Sequence, residues 1–142
     1  MKTKQFLFAA LVAALLGTMI AFPVMAEDET PMSVSRVRLA YNGRSSHSSD
    51  RVVGMVHVRD ANKSAVVGAL VAATWTEPDG SILMTTAVTD FQGIATFQVW
   101  AGSGTYELCV TDVTLDGWLY DAGQNVESCG MLTIQWPFNP PG

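Results

Sequence analysis

Residues 66–110 read VVGALVAATWTEPDGSILMTTAVTDFQGIATFQVWAGSGTYELCV, and this stretch decides the fold. Its apolar, β-branched runs are broken by Glu77-Pro78-Asp79-Gly80, Thr89-Asp90-Phe91-Gln92-Gly93 and Ala101-Gly102-Ser103-Gly104, which are turn-forming clusters and not helix caps. Pro78 presets its own φ, and Gly80 takes a conformation that other residues resist. Between the turns the side chains alternate. Ala69, Val71, Ala73 and Trp75 share one phase, as do Ala95, Phe97 and Val99, and then Tyr106, Leu108 and Val110, while Ile82, Met84 and Val88 run through the strand between. Period two over runs of this length is the signature of antiparallel strands with one buried face.

The pattern continues outward. In RVVGMVHVRD (51–60), Val52, Val56 and Val58 form the expected core face, with Met55, His57 and Arg59 opposite. In SVSRVRLAYNG (33–43), Val37, Leu39 and Tyr41 alternate with Arg36, Arg38 and Ala40, a half-buried strand whose arginines suit the edge of a sheet. RSSHSSD (44–50) is too polar for a core and reads as a loop, and DANKSA (60–65) as a turn. Residues 118–136 are less regular, with Leu132, Ile134 and Trp136 in phase for a last strand that Pro137 stops. The sum is an all-β, antiparallel sandwich of about seven short strands.

Upstream of it, MKTKQFLFAALVAALLGTMIAFPVMA has the basic start, apolar middle and small-residue end of a signal peptide, with cleavage expected after Ala26. A retained membrane anchor is the rival, since the apolar run approaches spanning length; Pro23 and the acidic EDET that follows favour cleavage. The expected organisation is therefore a signal peptide over 1–26, a flexible leader over 27–33, the sandwich over 34–136 and a tail over 137–142. The product is expected to be secreted or held in the cell envelope, with no membrane attachment once the signal is cleaved.

Beyond residue 26 six basic residues face thirteen acidic ones, a net charge of −7. Arg36, Arg38, Arg44, Arg51, Arg59 and Lys63 all precede residue 64, and eight carboxylates follow it unanswered. That balance disfavours nucleic acid, whose phosphates require a basic surface. It also describes a dipolar module whose basic first strands can meet an acidic partner.

A family resemblance covers residues 51–126. Asp60-Ala61-Asn62 with Val66-Val67-Gly68-Ala69-Leu70-Val71, Thr89 to Phe97, Gly104 to Val110, and Gly117-Trp118-Leu119-Tyr120-Asp121 with Asn125 resemble bacterial immunoglobulin-like modules and the related transthyretin-like, carboxypeptidase-regulatory-like sandwiches. The resemblance implies an immunoglobulin-like fold and says little of function. Such modules usually carry Gly and Pro in the first turn, where this chain has Lys63 and Ala65.

Few residues point to chemistry. Cys109 and Cys129 are the only cysteines, and in an exported chain they are expected to form a disulfide. Because Tyr106, Leu108 and Val110 take the inward face, Cys109 should point outward, so that the bridge staples the segment around residue 129 to the surface of the sandwich. Two thiols with no histidine nearby fall short of a zinc set. His47 sits in Ser45-Ser46-His47-Ser48-Ser49-Asp50, but neighbours in one loop cannot adopt the geometry of a hydrolase triad. His57 reads as a solvent-facing strand residue. Asp60, Asp79, Asp90, Asp112, Asp116 and Asp121 suit turns better than a calcium loop, since no ligand spacing links them.

Trp75 phases with the core. Trp100, Trp118, Tyr120 and Trp136 are less easily placed, and form either caps on the ends of a small core or a stacking platform for a ligand. The sequence thus predicts a non-catalytic binding or structural module without cofactor or metal. Its partner is a protein or a glycan, the alternative being a carbohydrate-binding module that uses those aromatics. It is expected to be monomeric or to associate weakly through strand addition by its basic first strand.

Overall fold

The computed structural model describes residues 28–43 and 49–135. The signal-like segment, His47 with most of its loop, Trp136 and the tail lie outside the described residues. Eight strands run in chain order: β1 Thr30–Asn42, β2 Arg51–Asp60, β3 Leu70–Thr76, β4 Ile82–Val88, β5 Ile94–Trp100, β6 Gly104–Thr114, β7 Trp118–Tyr120 and β8 Cys129–Ile134. They make two four-stranded sheets, sheet I in the order β5-β2-β1-β7 and sheet II in the order β4-β3-β6-β8. Every neighbouring pair is antiparallel except β1 with β7.

The core is built by the alternation read from the sequence. Val52, Val56 and Val58 of β2 and Ala95, Phe97 and Val99 of β5 face Val71, Ala73 and Trp75 of β3 and Tyr106 and Leu108 of β6. Trp75 is fully buried and lies over Gly54, where a Cβ would run into the Leu108 side chain and come within 3.1 Å of the indole. Glycine at 54 is what lets a tryptophan fit between sheets about 10 Å apart. Two bulges extend the core along the longest strands. One between Val34 and Arg36 resets the phase of β1, so that Met32 and Val34 are buried as well as Val37 and Leu39. The other, where β6 passes Ala72 and Ala73, does the same for Val113.

The structure departs from the sequence reading in three places. The described residues form eight strands where about seven are expected, the additional one being the three-residue β7. The sheet begins at Thr30, inside the expected leader, because Thr30–Met32 pairs in parallel with Trp118–Tyr120. And β1 is no edge strand. It is flanked by β2 and β7, and the chain after β7 folds along the rest of its free side, with the Asp121 N–H on the Met32 carbonyl and the Val126 N–H on the Val34 carbonyl, both at 2.9 Å.

Side chains complete that cover. Asn125 Oδ1 accepts the Val34 N–H and Glu127 Oε2 the Val37 N–H, each at 2.8 Å, while Asn125 Nδ2 donates to the Tyr120 hydroxyl at 2.7 Å and to Ser128 Oγ at 3.1 Å. Carboxylate and amide oxygens here stand in for the carbonyls of a missing strand. Immediately afterwards β8 packs so close to β1 that a Cβ on Gly130 would lie 2.8 Å from the Val37 carbonyl oxygen.

The Cys109–Cys129 disulfide then locks this side of the sandwich. The two cysteines face each other across β6 and β8 with their Cα atoms 4.1 Å apart, and the Val110 N–H to Ser128 carbonyl bond beside them makes theirs a non-hydrogen-bonded pair, in which side chains approach most closely. Both cysteines point away from the core, as the parity of β6 requires; Cys129 is exposed.

Candidate functional site

The outer face of sheet I gathers the cations. Val52, Gly54, Val56 and Val58 of β2 are buried, so Arg51, Val53, Met55, His57 and Arg59 face out. The register then places His57 between Arg36 and Ile94, Met55 between Arg38 and Thr96, and Arg51 between Asn42 and Trp100. Four arginines therefore occupy one side of one sheet. Lys63 stands on the adjoining β2–β3 turn, in the left-handed conformation (φ 66°) that favours glycine, and Arg44 lies outside the described residues.

These arginines are not equivalent. The Arg51 guanidinium lies over the ring of Trp100, a cation–π contact that fixes both side chains. Arg59 Nη1 donates to the Gln92 carbonyl at 2.6 Å and to its neighbour Val58 at 3.2 Å, tying the sheet to the β4–β5 turn. Arg36 and Arg38 are exposed, and no carboxylate among the described residues pairs with them. His57 sits in their midst. Partial burial first, then the fields of Arg59 and Arg36, hold its imidazole below the usual range, with Asp90 opposing them weakly. A neutral histidine surrounded by fixed positive charge makes this face receptive to an anion.

At one end the face runs into a groove of about 650 Å³ where β1, the β2–β3 turn and residues 121–126 meet. Ser33, Ser35, Arg59 and Lys63 line it together with Asp60 and Asp121. At the other end the Tyr41 hydroxyl donates to the buried Asp50 carboxylate. That hydrogen bond, with burial and the charge of Asp50, pushes the Tyr41 hydroxyl up to about 12, so it stays protonated at any physiological pH.

Of the aromatic residues singled out in the sequence, the three described, Trp100, Trp118 and Tyr120, are dispersed. Trp100 is 62% exposed at the end of β5, level with Asn42 of β1, whereas Trp118 pairs with Thr30 at the opposite end of that strand. Twelve residues of β1 separate the two levels, on the order of 35 Å. Trp118 and Tyr120 are half-buried against the core, and the Tyr120 hydroxyl is occupied by Asn125. Trp100 is thus the one described member of the set that stands on the arginine face.

The acidic residues behave as turn formers. Asp60 Oδ1 accepts the N–H groups of Asn62 and Ser64, Asp90 Oδ1 those of Gln92 and Ile94, and Asp79 Oδ1 that of Ser81. Bonds from the Ser81 hydroxyl and N–H hold the Asp79 carboxyl below the usual carboxylate range. Among the described residues no three His, Cys, Asp or Glu side chains converge as metal ligands would. The sequence reading missed the arginine face as a unit. Parity exposed each residue separately, but only the register of β1 on β2 brings Arg36, Arg38 and His57 together. No family model, curated protein or solved structure matches this chain.

Proposed function

We propose that this chain is an exported, non-catalytic, immunoglobulin-like module that holds a negatively charged partner against the outer face of sheet I. The fold assignment is supported by strand order. β1, β2 and β5 share one sheet, while β3, β6 and β8 share the other with β4 added beside β3, an arrangement that corresponds to the immunoglobulin scheme with a strand added to its second sheet. Export is supported by the signal-like start and by the disulfide, which belongs to an oxidising compartment. The observation that carries the binding role is the set of four arginines on one sheet face, three of which, Arg59, Arg36 and Arg38, add to burial in opposing protonation of His57.

The carbohydrate alternative narrows accordingly. A sugar partner would be an acidic one, its charge on Arg36 and Arg38 and a ring near Trp100, because the described aromatics Trp100, Trp118 and Tyr120 do not assemble into a platform of their own.

Titration of the purified chain with heparin and with poly-glutamate, followed by NMR, tests both forms. Binding of either should weaken steeply with salt and fall at least tenfold in the Arg36→Gln/Arg38→Gln double variant. The imidazole of His57 should move up toward its ordinary pKa as the bound anion offsets the arginine field. Preference for the glycan over the peptide would select the acidic-sugar form. No binding to either polyanion at low salt, or binding indifferent to the double substitution, would refute the proposal.

A further inference from the structure

The opposite sheet carries a feature that the arginine face does not explain. β4, ILMTTAV, is an edge of sheet II, and it contains no charge, no proline and no bulge. Natural edges are normally blunted by at least one of these devices. Both faces of β4 are apolar. Ile82, Met84 and Val88 point outward and Leu83 inward, yet all four are exposed, Met84 at 81% and Leu83 at 49%. A strand with apolar residues in both phases is the pattern of a covered, interior strand.

The phase of its hydrogen bonds is fixed by the two ends of the β3–β4 ladder. The Glu77 N–H donates to the Ser81 carbonyl and the Thr89 N–H to the Ala69 carbonyl, each at 2.9 Å, and the register between them is unbroken. Antiparallel alternation then turns the main-chain groups of Leu83, Thr85 and Ala87 toward β3 and those of Ile82, Met84, Thr86 and Val88 toward solvent. The four residues with outward backbone are also the four whose side chains line the outer face.

We infer that β4 is an interface with a second copy of this chain, joined by antiparallel β4–β4 pairing about a two-fold axis at Thr85. In that register Ile82 meets Val88 of the second copy and Met84 meets Thr86. All are hydrogen-bonded pairs, so every outward N–H and C=O of the strand is satisfied. Leu83 meets Ala87 and Thr85 meets its own equivalent at the closer, non-hydrogen-bonded positions on the inner face. The pairing is isologous and closes at two copies, producing one continuous eight-stranded sheet.

A second copy is favoured over a foreign strand because the edge offers no charge to select one, while its own sequence complements both of its faces. The area is sufficient. Ile82, Leu83, Met84, Val88 and the 80% exposed Phe91 in the next turn present several hundred Å² of apolar surface per copy, and two such surfaces approach the roughly 1,000 Å² that a specific interface requires. The electrostatics carry a distinguishing sign. The turns bearing Asp79 and Asp90 come together across the two-fold axis, so salt should strengthen this dimer. Any stacking of the arginine face on an acidic face would instead be weakened by salt.

Analytical ultracentrifugation of the purified chain across concentration and salt tests the inference, which is independent of the anionic partner proposed above. A reversible monomer–dimer equilibrium is expected, at least as tight in 0.5 M as in 0.05 M NaCl and unchanged by Arg36→Gln/Arg38→Gln. Met84→Lys should weaken it at least tenfold. Thr86→Pro should do the same, since it removes only an outward N–H and leaves the β3 ladder whole. A chain that remains monomeric to millimolar concentration overturns the inference. So does a dimer that survives Met84→Lys in folded protein, or one that dissolves with salt.

Discussion

The two long sides of this sandwich are finished by different means. On one, β1 is sealed by β7, by the 121–128 segment whose Asn125 and Glu127 side chains take up strand N–H groups, and by a disulfide that pins β8 beside it. On the other, β4 and β5 end the two sheets with no segment of the described residues laid across them, and β4 presents bare main chain and apolar side chains. The first side has exchanged regular pairing for side-chain substitutes and a covalent bond. The second has kept regular pairing and left it unfinished. An edge closed within the chain contributes to stability, and an edge left open is available for association.

The sharpest way to break that contrast is to reopen the closed side. Replacing Cys109 and Cys129 together by alanine releases a loop with a sequence separation of 20 and should lower the unfolding free energy by about 3 kcal/mol. Urea denaturation of the oxidised wild type against the double variant measures it. A loss below about 1 kcal/mol would mean that Asn125 and Glu127 hold the segment without the bridge, and the closure would then be noncovalent.

A smaller effect isolates the side-chain substitutes. Asn125→Ala leaves the Val34 N–H without its acceptor and frees the Tyr120 hydroxyl, and should cost about 1–2 kcal/mol. Asn125→Asp retains the acceptor and should cost less. Denaturation curves of the two variants, with amide exchange at Val34 and Val37, separate the lost hydrogen bond from general loosening. Equal losses in both would assign the effect to the Asn125 amide donors and leave the Val34 bond without weight.

The contrast also shows which parts of this molecule its sequence discloses. The runs Ala69 to Trp75 and Ala95 to Val99 are legible because a strand buried on one face must alternate, and the outward direction of Cys109 follows from its neighbours by the same parity. The bulge after Val34 is not legible. One inserted residue resets the phase, so that Met32 looks like leader instead of core and Val34 falls on the phase of Arg36 and Arg38. The closed edge is hidden for a different reason. Where Asn125 and Glu127 replace a strand's carbonyls, no periodicity remains to be read, and β1 with its arginines looks like an edge. The candidate site lies between these cases: each arginine was assigned its side by alternation, but their meeting around His57 depends on cross-strand register, which no local pattern encodes. For β4, an apolar run reads alike whether a strand is covered or waiting for cover.

The smallest predicted change lies at the open side and tests whether it is open in the monomer. Met84 is 81% exposed on the outer face of β4, and its backbone N–H points away from β3. Met84→Lys therefore removes no packing partner and buries no charge, and should alter monomer stability by no more than about 0.5 kcal/mol. The measurement belongs at a concentration dilute enough that association contributes nothing, because mass action would otherwise credit the wild type with stability that comes from the second copy. At higher concentration the wild type should gain on the variant, its apparent stability rising with protein while that of Met84→Lys stays flat. A loss of about 2 kcal/mol under dilute conditions would require Met84 to be packed within a single chain. The two sides of the sandwich would then differ in the means of closure, and no longer in whether closure is complete.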